Sequence, residues 1–219
     1  MKLTTVIFDM DGLLIDSEPS WQEAGAGVLQ EFGVTLTDAQ YHSTTGLRTP
    51  EWIDYWFTYF KLDKQHAAAA IAKVEQRALE IIQQKGEPMP GVQYILQFFR
   101  EQQFRIGLAS SSPMRLINMV VDKLNIRSYL DAITSAEKLP FGKPHPQVYM
   151  DCALLLAASP GECICFEDSF NGMIAAKAAR MKCVIVPAPA IQHESRWEAA
   201  DLKLSSLEHF GKQQLDLLQ

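Results

Sequence analysis

The chain has 219 residues, 47% of them hydrophobic and 21% charged, the balance of a folded globular protein and not of a disordered one. Twenty Lys and Arg against 26 Asp and Glu leave a formal charge of −6, which argues against a nucleic-acid partner, because such proteins need a basic face to neutralise phosphates. The longest apolar run, residues 152–158, falls far short of the roughly 18 residues that span a bilayer, so no membrane partner is expected.

At about 150 residues per domain, the length allows one large domain or one domain with a small insertion. The first element is a β-rich run at residues 4–8 (TTVIF), which ends at the acidic, Gly-containing turn Asp9-Met10-Asp11-Gly12. Acidic residues follow the apolar stretch at once, which is not the pattern of a signal peptide. Residues 17–85 then read as helical, with Ile71, Val74, Ala78 and Ile81 on one stripe and no convincing strand. This segment is dense in aromatics and is punctuated at its end by Glu87-Pro88-Met89-Pro90-Gly91.

From Val92 onward the signals alternate. Val92, Ile95, Leu96 and Phe99 lie on one helical face; residues 105–109 (RIGLA) form a buried strand; a helix opens at Pro113 with Ile117, Val120, Val121 and Leu124 on its face. A short strand at residues 132–134, a helix at 146–156, a strand at 163–166, a helix at 169–180 and a strand at 183–186 complete the series. Such repeats build a parallel sheet covered on both faces. The predicted fold is therefore α/β, a Rossmann-like parallel-sheet core (residues 1–16 and 87–219) with an inserted all-helical cap (residues 17–86).

Ligands of open parallel sheets bind beyond the carboxyl ends of the strands. Asp9 and Asp11 follow the first strand, Ser110 follows RIGLA, Lys143 sits in the loop after the strand near Ile133, and Glu167-Asp168 follow Phe166. Carboxylate oxygens in this number suit Mg²⁺, which takes a few protein oxygens plus water and phosphate. The cation would offset repulsion between an attacking carboxylate and an anionic phosphate, while Lys143 and Ser110 hold the other phosphoryl oxygens. One carboxylate can attack phosphorus, and the one two residues on can protonate the leaving alcohol and then activate water.

The segment Asp9-Met10-Asp11-Gly12-Leu13-Leu14-Ile15-Asp16-Ser17 resembles the first motif of the haloacid-dehalogenase-like phosphatases, and Ser110, Lys143 and Glu167-Asp168 match the other three motifs in order and context. The resemblance spans essentially the whole chain. It implies Asp9 as nucleophile, Asp11 as general acid/base, and Ser110, Lys143 and the Ser111 backbone N–H on the phosphate. It also implies Mg²⁺ held by the Asp9 carboxylate, the Asp11 carbonyl and Asp168, with Glu167 either assisting directly or lying behind the ligands. The stretches Ser135-Ala136-Glu137-Lys138-Leu139-Pro140, Lys143-Pro144-His145-Pro146-Gln147-Val148-Tyr149 and Asn171-Gly172-Met173 resemble a branch acting on hexitol and 2-deoxyglucose 6-phosphates. The implied substrate is a small sugar phosphate or sugar-alcohol phosphate.

Other readings stand beside these. β-Phosphoglucomutases share core and cap but carry a His where this chain has Trp21; a non-catalytic sugar-phosphate-binding protein is a further alternative. True dehalogenases lack the counterpart of Asp11, and none of Lys61, Lys64, Lys73 and Lys85 is assigned the Schiff-base role of phosphonoacetaldehyde hydrolases. Ser110 is either a phosphate ligand or a cap for the helix after Pro113, and Lys138 is the rival of Lys143. Asp16 and Glu18 read as solvated or capping charges as readily as substrate contacts, and Trp21, Arg48 and Trp52 either face the substrate or pack the cap. His145 reads as a loop residue, and Gly25-Ala26-Gly27 lacks the third glycine of a dinucleotide loop. Cys152, Cys163, Cys165 and Cys183 form no C-x-x-C pair, so neither a disulfide framework nor structural zinc is expected. A cytoplasmic monomer is the expected setting.

Overall fold

The computed structural model describes residues 2–219. Strand β1 (Thr5–Phe8) is followed by four helices, α1 (Glu18–Gln30), α2 (Asp38–Ser43), α3 (Thr49–Tyr59) and α4 (Ala67–Lys85). The chain then alternates through α5 (Val92–Glu101), β2 (Arg105–Ser110), α6 (Met114–Lys123), β3 (Ala132–Ser135), α7 (Gln147–Leu155), β4 (Cys163–Glu167), α8 (Phe170–Ala178), β5 (Lys182–Ile185), β6 (Leu202–Lys203) and α9 (Lys212–Leu218). The six strands form one parallel sheet in the order β3-β2-β1-β4-β5-β6. This is the doubly wound order, and β1 stands at the point where successive connections leave toward opposite edges.

Strands buried on both faces read as continuous apolar runs, and side chains alternate between those faces. Val6 and Phe8 of β1 accordingly join one apolar cluster with Ile106, Leu108, Ile164 and Phe166. Ile7 joins the other, with Ala109, Cys163, Cys165 and Ile185. Phe8 stacks on Phe166 at 5.0 Å, and Phe210 packs edge-on against Phe166 at the same distance. The aromatic cluster thus fixes the ends of β1 and β4 immediately before Asp9 and Glu167. All four cysteines are free and buried, and burial pushes the Cys152 and Cys163 thiols up to about 12.

The chain enters and leaves the helical insert side by side. Ile15 bridges Pro88, the Asp16 N–H donates to the Glu87 carbonyl at 2.9 Å, and the Met89 N–H donates to the Leu14 carbonyl at 3.0 Å. Within the insert, the buried stripe of α4 is Ala70, Val74, Ala78 and Ile82. The expected stripe placed Ile71 and Ile81 inward, yet both are half-buried. Helix α4 packs against both α1 and α3 and buries Ala70 and Ile82 at the ends of the stripe in place of their neighbours Ile71 and Ile81. Strand β6 escapes sequence reading because two residues are too few to show alternation. No helix among the described residues is long and apolar enough to cross a membrane.

Candidate active site

Ser110 and Glu167 are the last residues of β2 and β4, Asp9, Asp11 and Asp168 follow the ends of β1 and β4, and Lys143 lies in the loop between β3 and α7. The Asp9 N–H extends the ladder by donating to the Phe166 carbonyl at 3.0 Å. The chain then turns sharply, with Leu14 N–H on the Met10 carbonyl at 2.8 Å and Gly12 N–H on the Ile15 carbonyl at 3.0 Å. Gly12 holds φ +75°, and a Cβ there would collide with the Asp168 carboxylate. Glycine is therefore required twice over, for the left-handed backbone and for the approach of Asp168.

The turn brings Asp9 against two other acidic groups. Asp9, Glu167 and Asp168 each offer an oxygen within 4.8 Å of the others. Lys143, fully buried, reaches between them: its ammonium donates to Asp9 Oδ1, to Glu167 Oε1 at 2.6 Å and to the Ala109 carbonyl at 3.3 Å. Burial works against this ammonium, but Asp9 and Glu167 outweigh it and hold its pKa above the ordinary lysine value. The rival Lys138 is exposed, as is His145.

Lys143 does not balance the acids. Burial pushes the Asp9 carboxyl well above the usual range; Lys143 pulls it back, while Glu167 and Asp11 push it further up. Burial likewise raises Asp168, reinforced by the charges of Glu167, Asp9 and Glu18. A site of buried hard oxygens short of positive charge fits a divalent cation such as Mg²⁺.

Within that cluster, Glu167 is already committed. Its Oε1 accepts from Lys143 and the Tyr149 hydroxyl; its Oε2 accepts from the Asp168 N–H (3.0 Å), the Ser169 N–H (3.1 Å) and the Ser169 hydroxyl (3.0 Å). A carboxylate offers about four lone-pair positions, and these five donors occupy them. Asp9 keeps one oxygen without a protein hydrogen bond, since its contact to Lys143 uses Oδ1 alone.

Asp11 is held from both sides of the cleft. Its Oδ1 accepts from the Ser17 hydroxyl at 2.7 Å and the Trp21 indole N–H at 2.9 Å. Its Oδ2 accepts from the Ser112 hydroxyl at 2.7 Å and the Ser110 hydroxyl at 3.3 Å. Ser110 also accepts the Ser112 N–H at 3.0 Å, and it gives no cap to the helix after Pro113, whose first N–H, on Met114, donates to Glu137 Oε2 at 3.2 Å. The Ser111 hydroxyl donates to the Gly46 carbonyl in the insert at 3.1 Å.

These groups line a cleft of about 720 Å³, its open mouth included, between sheet and insert. Asp9, Asp11, Ser110, Ser111, Lys143 and Asp168 all line it, and the insert contributes Glu18, Trp21, Tyr41, Thr45 and Trp52 to the opposite wall. Glu18 is half-buried where it lines the cleft, and desolvation, with the charges of Asp11 and Asp16, pushes its carboxyl up to about 7 against the Tyr41 hydroxyl that lowers it. Arg48 is not among the lining residues. Tyr149, Ser17 and Ser112 were not anticipated as site residues. Tyr149 sits on one line with Lys143 and Glu167 only because α7 packs under the sheet, and Ser112 is one of three successive serines that sequence alone does not separate.

A cleft of this chemistry can bind a phosphate ester, present a carboxylate to its phosphorus and offer a second carboxylate to its leaving oxygen. The comparisons with known proteins agree. The family model described as haloacid dehalogenase-like hydrolase matches residues 6–186. The chain is 42% identical to Hexitol phosphatase B of Escherichia coli (strain K12), over 94% of this chain and 93% of that one. It is 28% identical to a fructose-1-phosphate phosphatase of the same strain, over 83% and 95%. The crystal structure of a β-phosphoglucomutase from Clostridium difficile superposes with a TM-score of 0.87 at 22% identity, covering 99% of this chain and 96% of that one, a likeness of fold. The chain belongs to the haloacid dehalogenase-like hydrolases and is a phosphatase of that family.

Proposed function

We propose that the protein is a Mg²⁺-dependent phosphomonoesterase that hydrolyses a small sugar phosphate or sugar-alcohol phosphate through a phosphoryl group carried on Asp9. The observation that carries this reading is the Asp9 carboxylate: buried at a strand end, one oxygen on Lys143 and the other free of protein partners, in the wall of the cleft between sheet and insert. The similarity to a hexitol phosphatase and a fructose-1-phosphate phosphatase supports a polyol or sugar as leaving group. We further assign residues 17–86 as the cap that covers the core (residues 1–16 and 87–219), with the paired crossings at Ile15 and Pro88 as its hinge.

In this mechanism an Asp9 oxygen forms the bond to phosphorus as the bond to the sugar oxygen breaks; the Ser110 hydroxyl turns from Asp11 Oδ2 to the phosphate, which leaves that Asp11 oxygen a proton to give to the departing sugar oxygen. Water then attacks the phosphorus, Asp11 takes back a proton, and the Asp9–phosphorus bond breaks to free inorganic phosphate. Lys143, Ser110 and the Ser111 N–H hold the phosphoryl oxygens, so charge is stabilised where it develops. The Asp9 carboxylate, the Asp11 carbonyl and Asp168 would hold Mg²⁺, which when bound offsets repulsion between Asp9 and the phosphate. Glu167, saturated by five donors, orients Lys143 and the loop of Asp168 instead of ligating. Trp21 supports hydrolysis over mutase chemistry, because an indole N–H only donates and cannot relay a proton from Asp11.

Two experiments test these assignments. Asp11→Asn lowers turnover of alkyl phosphates by about 10²–10⁴-fold and of aryl phosphates much less, because phenolate leaving groups need little protonation; equal losses on both would remove Asp11 from that role. Mg²⁺ raises the thermal midpoint of the metal-free protein, and Asp168→Asn abolishes the rise. The sign with pH follows from the raised carboxyls. Asp9 and Asp168 hold protons more tightly folded than unfolded, so metal-free stability falls as pH rises through their range. The Mg²⁺ gain is accordingly larger at pH 8 than at pH 5; a gain indifferent to both pH and Asp168 would place the ion elsewhere.

A further inference from the structure

Helix α3 begins with two residues that reach out of the insert. The Arg48 side chain, 10% exposed, donates through Nη1 to the carbonyls of Ala136 (2.9 Å) and Leu139 (2.6 Å). Its Nη2 donates to the Pro140 carbonyl at 3.3 Å and to Glu51 Oε1 at 2.6 Å. Glu51 Oε1 in turn accepts the Gly142 N–H at 2.8 Å. Every core atom in this set belongs to the single loop from the end of β3 to Lys143, and the last bond is to the peptide just before Lys143.

The fit is close. A Cβ on Gly142 would lie 2.5 Å from Glu51 Oε2 and 2.7 Å from Arg48 Nε. The planar guanidinium matches several acceptors at once, which the point charge of a lysine does not. Partial burial works against the Glu51 carboxylate, but the Arg48 guanidinium and the Gly142 N–H hold it below its ordinary range. Charge-assisted hydrogen bonds with little solvent access are the strong kind. Arg48 points its donors at backbone carbonyls of the core and at Glu51, and it does not line the cleft.

We propose that Arg48 and Glu51 are positioning residues that latch the helical insert onto the Lys143 loop, so that docking of the insert holds Lys143 in register with Asp9 and the bound phosphate. This rests on reading Lys143 as the phosphate-holding ammonium. The latch couples the part of the molecule that covers the sugar to the part that stabilises the transferring phosphoryl group, across a sequence separation that no local motif spans.

The test compares Arg48→Ala, Glu51→Gln, Gly142→Ala and the Arg48→Ala/Gly142→Ala double variant, Mg²⁺-loaded, on para-nitrophenyl phosphate and on a hexitol phosphate. Gly142→Ala breaks the latch from the core side and leaves the start of α3 untouched, so it decides the matter if Arg48→Ala fails to fold. Arg48→Ala and Gly142→Ala should each lower kcat by about 10- to 100-fold, the usual penalty for misplacing a catalytic group by about 1 Å. The factor should be the same on both substrates, with KM altered less than about threefold. The double variant should lose little more than either single one, since both break one device, and Arg48→Lys should recover part of the loss. A rise in KM confined to the hexitol phosphate, with Glu51→Gln and Gly142→Ala normal, would overturn the latch and make Arg48 a substrate ligand. A lowered thermal midpoint with kcat unchanged would overturn it in favour of helix capping. Full activity in all these variants while Lys143→Met is inactive would overturn the latch alone; an active Lys143→Met would remove the reading on which it rests.

Discussion

Asp9→Asn lowers phosphate release by about 10⁴-fold or more, the loss expected when a nucleophile is removed and binding is kept. The substitution is nearly isosteric, and the side chain sits at a position fixed by backbone. The Asp9 N–H is bonded to the Phe166 carbonyl, and the preceding Phe8 is stacked on Phe166. Lys143 keeps Glu167, the Ala109 carbonyl and the face of the Tyr149 ring at 4.7 Å. The variant should therefore fold, which circular dichroism and a thermal midpoint near or above that of the metal-free parent would establish. An amide oxygen is a poor nucleophile, so no phosphoryl group accumulates on the peptide containing residue 9. Turnover within about tenfold of the parent would remove Asp9 from the reaction.

Lys143→Met has a large effect with a double signature, on stability and on turnover. Met fills much of the lysine stem but brings no charge. Asp9 and Glu167 then face each other in a buried site without the ammonium that separates them. Breaking such a pair from one side costs about 3–5 kcal/mol, which a thermal or denaturant midpoint of the metal-free protein would show. Loss of one preorganised donor to the developing charge should lower kcat by about 10²–10³-fold. Lys138→Met is the control, since Lys138 is exposed; it should leave both readouts unchanged. Loss of activity in the Lys138 variant instead would reverse the assignment between the two lysines.

Most of the sheet was legible because its strands are buried on both faces, so that runs such as Val6-Ile7-Phe8 and Ile164-Cys165-Phe166 carry no polar interruption. The run of helices between β1 and α5 was legible from the change of period after Ser17 and the prolines around Met89. The residues at the strand ends were legible because their types are unusual there: carboxylates, a serine and a lysine following apolar runs. The structure brings Asp9, Asp11, Ser110, Ser111, Lys143 and Asp168 to one cleft. What sequence did not separate was direct from indirect. Glu167 and Asp168 are adjacent and chemically alike, yet one is saturated by Lys143, Tyr149 and the turn at Ser169 while the other faces the cleft. That difference depends on α7 placing Tyr149 under the sheet.

The same reason hides the contacts between insert and core. Arg48 meets Ala136, Leu139 and Pro140 only after the insert has docked, and nothing local to Arg48 distinguishes it from a substrate-facing arginine. For Trp21 the sequence left cleft wall and cap packing open, and it gave no sign of the hydrogen bond to Asp11, ten residues earlier. In α4 the expected stripe shared Val74 and Ala78 with the buried one but took Ile71 and Ile81 for its ends, where the structure buries Ala70 and Ile82.

The central claim is that this cleft hydrolyses sugar or sugar-alcohol phosphates with a divalent cation. It is tested most directly by measuring phosphate release from a panel of hexose, deoxyhexose and hexitol phosphates, with Mg²⁺ and with EDTA, while following isomerised sugar phosphate in the same reactions. The account predicts release of inorganic phosphate that EDTA abolishes, with a clear preference for one or a few members and no isomerised product. Isomerised sugar phosphate without free phosphate, or tight Mg²⁺-dependent binding with no turnover on any member, would contradict it.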